Sequence, residues 1–405
     1  MTNILISGGS VAGPALAFWL RRHGFNPTVV ERAPALRTGG YKIDVRGAAL
    51  DVVGRMGLRE EVVRHGTDMR IARFVDAAGR QLAGMDAQLF GGREGDDVEI
   101  MRGDLARILH DATRDDVEYL FDDSVTALEE TADGVRVTFE NGPARTFDLV
   151  VGADGLHSNV RALAFGEESA YLHDLGHYIS ICTVPNHLGL DRTEMMHPAP
   201  GRSAGMYSTG RSADAKAMFL FSSEPLGYDR RDVARQRELV AGAFAGQGWE
   251  VPRLLDAMGE APDFYLDSIS QVRMDRWSSG RVVLVGDAAY GPSPASGQGT
   301  SLALVGAYVL AGSLAAAAGD HEAAFAAYES DMRHFVEENQ KLAASNLKGM
   351  VLKSAGQIRF QMFMLRLMPR LPGRNRMIRR VTEPIRRAAT AITLRDYEAA
   401  SSSAS

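Results

Sequence analysis

The stretch Asn3 to Pro34, NILISGGSVAGPALAFWLRRHGFNPTVVERAP, constrains the fold more than any other part of the chain. Asn3 to Ser7 is nearly all apolar, as befits a parallel strand buried on both faces. Gly8-Gly9-Ser10-Val11-Ala12-Gly13 turns the chain, Pro14 fits the first turn of a helix where a missing N–H costs nothing, and Gly24 ends that helix. A second strand, PTVVE, closes at Glu31. A βαβ unit of about thirty residues, with an acid about twenty residues past its glycines, is the setting in which a glycine turn holds a dinucleotide. Amides at the helix start would bind a pyrophosphate, and Glu31 would take the ribose hydroxyls. The middle glycine of such a turn is replaced here by Ser10. Its hydroxyl can itself donate to a phosphate, so binding is the expectation and a turn that has lost its ligand is the alternative.

Two more strands end in the same way. FDLVVGADGLHSNVR, residues 147–161, runs into Gly152, Asp154 and Gly155, and GRVVLVGDAAYGPSPASGQGTSLALVGAYVLAGSL, residues 280–314, runs into Gly286 and Asp287, a proline and glycine loop and a long apolar helix. Ligands of open α/β sheets lie outside the carboxyl ends of the strands, so three such ends can converge on one extended molecule.

With these motifs in place the chain resembles the single-component FAD-dependent monooxygenases of the p-hydroxybenzoate hydroxylase type. Within them it is most similar to the tetracycline-inactivating flavin monooxygenases and related hydroxylases of polycyclic natural products. The motifs are ISGGSVAGPALA, ERAPALRTGGYKIDVRG, EIMRGDLARIL, VVGADGLHSNVR and RWSSGRVVLVGDAAYGPSPASGQGTSLAL, spread over nearly the whole length. The resemblance implies an α/β protein with a Rossmann-like, three-layer FAD-binding domain, an inserted and mostly antiparallel substrate-binding sheet, and a long C-terminal helix. It implies Gly8, Ser10, Gly13 and Glu31 around the adenosine and pyrophosphate, with Arg32 beside the adenine. Arg102 would approach the ribityl phosphate region. Asp154, Gly155, Ser158 and Arg161 would form the motif linked to flavin and nicotinamide handling. Gly286 and Asp287 would meet the ribityl hydroxyls, and Pro294, Gly297, Gln298 and Gly299 would lie near the flavin ring, with Arg202 a further flavin-proximal candidate. No catalytic residue is fixed. The sequence departs from the family pattern at Ser10 and at Tyr290, which stands where GDAAH is usual.

Residues 1–75, 100–170 and 276–330 are read as the FAD-binding domain, and 76–99 with 171–275 as the substrate domain. Between about 170 and 275 the βα rhythm gives way to apolar runs such as YISICTV, SAGMYST and AKAMFLFSS, which suits a sheet covering the flavin. Tyr178, Ser180, Met206, Met218 and Phe219 are the candidate substrate-lining residues there, against the plainer reading of ordinary sheet core. Residues 331–397 are expected to be a helical brace, because Lys341 to Arg395 carries thirteen Lys or Arg against the single acid Glu383 around FQMFMLRLMPRLPG. A basic amphipathic tail touching a membrane is the second reading. Residues 398–405 are expected to be a disordered tail.

The expected activity is FAD-dependent hydroxylation of, or oxygen insertion into, an aromatic or polycyclic phenol or enol. Noncovalent FAD, NADPH or NADH, and O2 would serve it through a flavin 4a-hydroperoxide, in antibiotic modification or biosynthesis. A dehydrogenase or oxidase on the same scaffold, or a protein that sequesters a ligand without turning it over, are the alternatives. A flavin halogenase is disfavoured because Trp19, Trp249 and Trp277 are isolated. The formal charge of −6, with no basic block near the motifs, gives no nucleic-acid footprint. The histidines lack metal-ligand spacing, so no metal is expected. Cys182 is the only cysteine and reads as a buried small hydrophobe. No secretory leader is visible and no uninterrupted apolar run reaches about eighteen residues. A cytoplasmic monomer or weak homodimer without membrane association is the expectation.

Overall fold

In the computed structural model, residues 1–36, 39–368 and 371–397 are described, without the side chains of 374 and 375. The expected tail at 398–405 lies outside them. Asn3–Ser7 pairs in parallel with Asn26–Glu31 on one side and Leu149–Gly152 on the other. Val282–Leu284 and Glu118–Phe121 extend this sheet in parallel at either side, and the two-residue strand Ser278–Ser279 closes one edge as an antiparallel hairpin. The opening helix Ala12–Arg22 packs against the central helix Gly299–Ala316. Both belong with the strands to one core, in which Ile4, Leu5, Ile6, Val150, Val283, Leu304 and Leu310 are fully enclosed. This is the expected α/β fold.

The central helix Gly299–Ala316 lies mostly inside the fold. With a mean hydropathy of 1.5 over 18 residues it is long and apolar enough to cross a membrane, and 78% of it is buried inside the fold. Its Gly, Ser, Thr and Tyr residues interrupt the apolar run without adding any charge.

A second sheet of seven strands runs in the order Tyr265–Val272, Leu172–Pro185, Asp214–Ser222, Arg202–Ser208, Thr193–Ala199, Ile71–Val75 and Gln81–Asp86. Every pairing is antiparallel except that of Thr193–Ala199 with Ile71–Val75. Its outer face lies under the helices Val233–Ala243 and Val251–Glu260, where Tyr178, Cys182, Met206, Phe219 and Phe221 pack against Val240, Phe244 and Leu254. Its inner face carries Ile179, Ile181, Leu220 and Ile269, which meet Ala295 and the long helix His321–Met350 through Ala343 and Leu347. The first half of that helix sends Phe325, Tyr328, Met332 and Phe335 into the other core. One rigid element therefore spans both layers. The helix Ala355–Leu367 adds Ile358 and Met362 over Phe74, Ala83 and Met196, leaving Phe360 and Phe363 exposed.

Candidate functional site

Adjacent parallel strands put the carboxyl ends of Asn3–Ser7, Leu149–Gly152 and Val282–Leu284 on one edge. The residues after them touch. Gly8 has φ +117°, and a Cβ built there would lie 2.4 Å from the Ala153 carbonyl oxygen. A Cβ at Gly13 would lie 1.9 Å from the Gly8 carbonyl oxygen. Gly286, at φ +67°, faces the Cβ of Ala12 at 3.3 Å. These glycines are demanded by close backbone approach, and the turn they allow leaves the first amides of the opening helix without intrahelical partners. Glu31 holds the turn from the second strand: its Oε2 accepts from the Gly9 N–H at 2.8 Å and its Oε1 from the Ala33 N–H at 2.9 Å. Arg32 beside it is exposed.

Ser10 is partnered. Arg102, at the start of the helix Arg102–Asp111, donates from Nη2 to the Ser10 hydroxyl at 3.1 Å. The arginine is also fixed by its backbone, whose N–H donates to the Tyr41 carbonyl at 3.0 Å. Opposite stands Asp287, which makes no side-chain hydrogen bond to a described residue and is open to solvent. Desolvation nevertheless raises its carboxyl above the usual range, and the nearby Arg102 charge pulls it partly back. A carboxylate that water reaches and that is still desolvated by its surroundings lies on the floor of a cleft. A Cβ at Gly299 would sit 3.5 Å from Asp287 Oδ1, so the start of the central helix directly adjoins the carboxylate. The N–H groups of that helix's first turn have no intrahelical acceptor. Pro294 and Gly297 are exposed beside them, and Gly299 is half-buried.

Several expected site residues do not line this crevice. Arg161 is 0% exposed and spends its guanidinium on the carbonyls of Ala288 and Leu156 and on Glu168, at 3.0, 2.7 and 3.2 Å. It braces the loop that carries Asp287 from behind. Gln298 is also 0% exposed, its side chain turned inward with both amide atoms unpaired, so of the Gly-Gln-Gly run only the glycines face outward. Asp154 accepts from the Asn159 and Val160 N–H groups at 2.8 and 3.0 Å and from the Ser158 hydroxyl, which itself caps the helix Asn159–Phe165. Gly155 follows at φ +85°.

The substrate-lining expectations are corrected by phase. Tyr178, Ser180, Met206 and Phe219 all point to the outer face beneath the two covering helices, with Ser180 opposite Phe219 in register. Arg202 pairs with Phe221 on that same face, donates to the Ala243 carbonyl and lines an outer cavity of about 480 Å³ with Arg235 and Glu238. Only Met218 projects to the inner face, where it stays half-buried. A one-residue shift in a strand exchanges its faces, and these strands are apolar on both. Tyr290 is core as well: its ring packs 4.6 Å from Trp277, its hydroxyl lies 2.8 Å from that of Tyr328, and a Cβ at Gly306 would collide with it at 2.0 Å. The departure at Tyr290 is matched by that glycine.

Sequence reasoning passed over Tyr41, Lys42 and His157, although all three lie inside quoted motifs. Lys42 pairs with Glu194 at 2.5 Å and lies 3.6 Å from Glu99. Burial alone would lower its ammonium, and the two carboxylates outweigh that and hold it above the usual value. The signal available was the alternation of Lys42, Ile43, Asp44 and Val45. Among the described residues no group of three or more His, Cys, Asp or Glu could hold a metal ion.

The FAD binding domain family matches residues 1–343. The chain is 49% identical over 351 residues, covering 86% of it and 94% of the relative, to an uncharacterized protein of Mycobacterium tuberculosis (strain ATCC 25618 / H37Rv). It is 42% identical over 339 residues to the flavin-dependent monooxygenase of Legionella longbeachae serogroup 1 (strain NSW150), covering 84% of this chain and 87% of that one. Among solved structures, the tetracycline destructase Tet(51) superposes with a TM-score of 0.86 at 36% identity, over 98% of this chain and 100% of the other.

Proposed function

We propose that this chain, which belongs to the FAD binding domain family and is an FAD-dependent monooxygenase, uses NADH or NADPH with O2 to hydroxylate, or insert oxygen into, a polycyclic phenol or enol of the tetracycline kind. The observation that carries the reading is the pairing of Arg102 with Ser10 across the crevice from an open Asp287 that makes no side-chain hydrogen bond to a described residue.

The residues present fit FAD. A dinucleotide needs cationic and amide donors at its diphosphate and acceptors at its hydroxyls. Arg102, Ser10 and the first amides of the opening helix supply the former, and Glu31 and Asp287 the latter. Glu31 stands at the end of the second strand beside the turn, where an adenosine ribose would lie. Gly8, Gly13, Gly286, Gly297 and Gly299 keep side chains out of the way, and Arg32 and Pro294 would border the two ends. FAD held there would supply the redox chemistry, with NAD(P)H as electron source and O2 as oxygen source, that the side chains themselves lack.

The protein's part is orientation, charge and exclusion of water. The first-turn amides of the central helix favour negative charge at the crevice, with a dipole already aligned. The inner face of the seven-stranded sheet, through Met218, forms an apolar wall that lowers the dielectric and keeps water away. Residues 1–75, 100–170 and 276–330 would then hold the cofactor, 76–99 and 171–275 the substrate, and 331–397 would brace the two.

The test is NAD(P)H-dependent O2 uptake against a panel of tetracyclines and other polycyclic phenols, with product mass under ¹⁸O2. A gain of one labelled oxygen atom is expected. Label from water, or reduction without oxygenated product, would give the reading to a dehydrogenase or oxidase, and colourless protein that cannot be loaded with flavin to a binding protein.

A further inference from the structure

We propose that Glu168, His157, Asp267 and Tyr265 form a proton relay that feeds the crevice from solvent, with Tyr265 as its last donor; the proposal rests on the monooxygenase reading. The links are contiguous. Glu168 lies 3.0 Å from His157 Nδ1, His157 Nε2 lies 3.0 Å from both oxygens of Asp267, and the Tyr265 hydroxyl donates to Asp267 Oδ2 at 3.1 Å. The two ends differ in surroundings. The Glu168 side chain is 28% exposed at the outside and shares Arg161 and Arg230, each at 3.2 Å. Tyr265 is 38% exposed and begins its strand two residues after Asp263; a Cβ at Gly39 would lie 3.3 Å from Asp263 Oδ2 and one at Gly40 3.3 Å from the Arg102 Cβ, so the Gly39-Gly40 turn links the start of that strand to the arginine that holds Ser10.

The chain of bonds also crosses between layers. His157 follows the strand Leu149–Gly152 of the parallel sheet, whereas Asp267 and Tyr265 stand on the inner side of an edge strand in the other sheet. Only an imidazolium donates from both ring nitrogens, so a histidine between two carboxylates retains a proton, either on the ring or on one of its partners. Burial raises Asp267 to about 6, which favours the same shared proton. The groups facing this pair are Glu168, Arg161 and Arg230 on one side and Tyr265 and Ser268 on the other, with Tyr41, Tyr178 and Tyr228 within electrostatic range of Asp267. Desolvation by its neighbours and the Asp267 charge raise the Tyr265 hydroxyl above the usual phenol value, so it stays neutral and a donor.

The reaction has a use for the proton. Monooxygenation is RH + O2 + NAD(P)H + H⁺ → ROH + H2O + NAD(P)⁺, so each turnover draws one proton from solvent. Tyr265 gives its hydroxyl proton to the crevice and takes one from protonated Asp267; His157, neutral with its proton on Nε2, passes that proton to Asp267 as Nδ1 accepts one from protonated Glu168, Glu168 takes another from water, and return of the ring to the Nε2–H tautomer resets the chain. No electron moves along the chain.

The test separates the relay from the function. Reoxidation of dithionite-reduced holoenzyme by O2 also takes up one proton, whatever the physiological substrate. Followed by stopped flow from pH 6 to 9, Tyr265→Phe and Asp267→Asn should slow reoxidation about tenfold or more at pH 8, with FAD affinity unchanged and Asp267→Glu restoring the rate. In ¹⁵N NMR of the same protein, His157 should show both ring nitrogens engaged at pH 7, and Asp267→Asn should abolish this. Variants that reproduce the wild-type pH profile, or a His157 with a bare ring nitrogen at pH 7, overturn the relay. Reoxidation that behaves as expected in a protein that oxygenates nothing would leave the relay standing and remove the monooxygenase reading.

Discussion

Arg102 donates to the hydroxyl of Ser10 at 3.1 Å, tying the start of one helix to a turn 92 residues earlier. The bond aims a guanidinium where the crevice would receive a diphosphate, so serine replaces close approach with a second donor. Arg102→Ala should weaken FAD binding by about tenfold to a hundredfold, as expected for loss of a charge-assisted hydrogen bond. Ser10→Gly should stay within about tenfold, or ~1.4 kcal/mol, because the arginine remains. Titration of apoprotein with FAD by fluorescence quenching measures both, and a double-mutant cycle should give a coupling above zero.

Asp287 carries a desolvated carboxylate with no side-chain hydrogen bond to a described residue and the Arg102 charge nearby. Asp287→Ala should cost FAD affinity at least as much as Arg102→Ala, since ribityl hydroxyls lose their acceptor. Wild-type affinity should also fall as the pH is lowered through the raised carboxyl value, where the protonated acid becomes a poorer acceptor. Isothermal titration at several pH values, against Asp287→Asn as the uncharged reference, checks the sign.

Asp267 binds its proton more tightly folded than unfolded, because burial lifts its value to about 6 from an unfolded value near ~3.9. A raised acid stabilises the fold at low pH and loses that contribution as pH rises, here across about pH 4 to 6. The melting temperature of Asp267→Asn relative to wild type should therefore climb over that interval. A flat difference would mean that the carboxylate is solvated.

Gly306 faces the Tyr290 hydroxyl so closely that Gly306→Ala should cost about 1–3 kcal/mol by overpacking, with bound flavin unchanged. Adding Tyr290→Phe should recover part of the loss. Thermal denaturation with flavin occupancy recorded in parallel tests the pair.

The two faces of the sheet should respond differently. Phe219→Ala, fully enclosed beneath the outer helices, should cost about 3–5 kcal/mol of stability without changing substrate preference. Met218→Ala should cost less stability and shift KM. Melting curves alongside steady-state kinetics on the preferred substrate distinguish these outcomes.

The parallel sheet, the turn glycines and the crevice acid Asp287 were legible in the sequence because each is imposed locally: a buried strand, a left-handed glycine, an acid after a strand. The pairing of Ser10 with Arg102 was not, since it joins residues that meet only through tertiary packing. Neither was the phase of the second sheet. Runs such as AKAMFLFSS alternate among residues apolar on both sides, helices cover the outer face and the other layer covers the inner, so period two has no polar side to mark. Arg161 misled for a different reason: a motif arginine can serve a motif loop from behind, and only its enclosure reveals that.

The order of strands in the parallel sheet also has a consequence for synthesis. Ser7 waits for Gly152, and Gly152 for Leu284, before the crevice has its three strand ends, and the central helix that covers them follows later still. A chain growing at about 5–20 residues per second therefore carries its first βαβ unit for many seconds beside an unfilled place in the sheet. During translation the protein is exposed to mispairing along that strand edge, and conditions that slow elongation between residues 152 and 300 should lower the yield of flavin-competent protein more than its total yield.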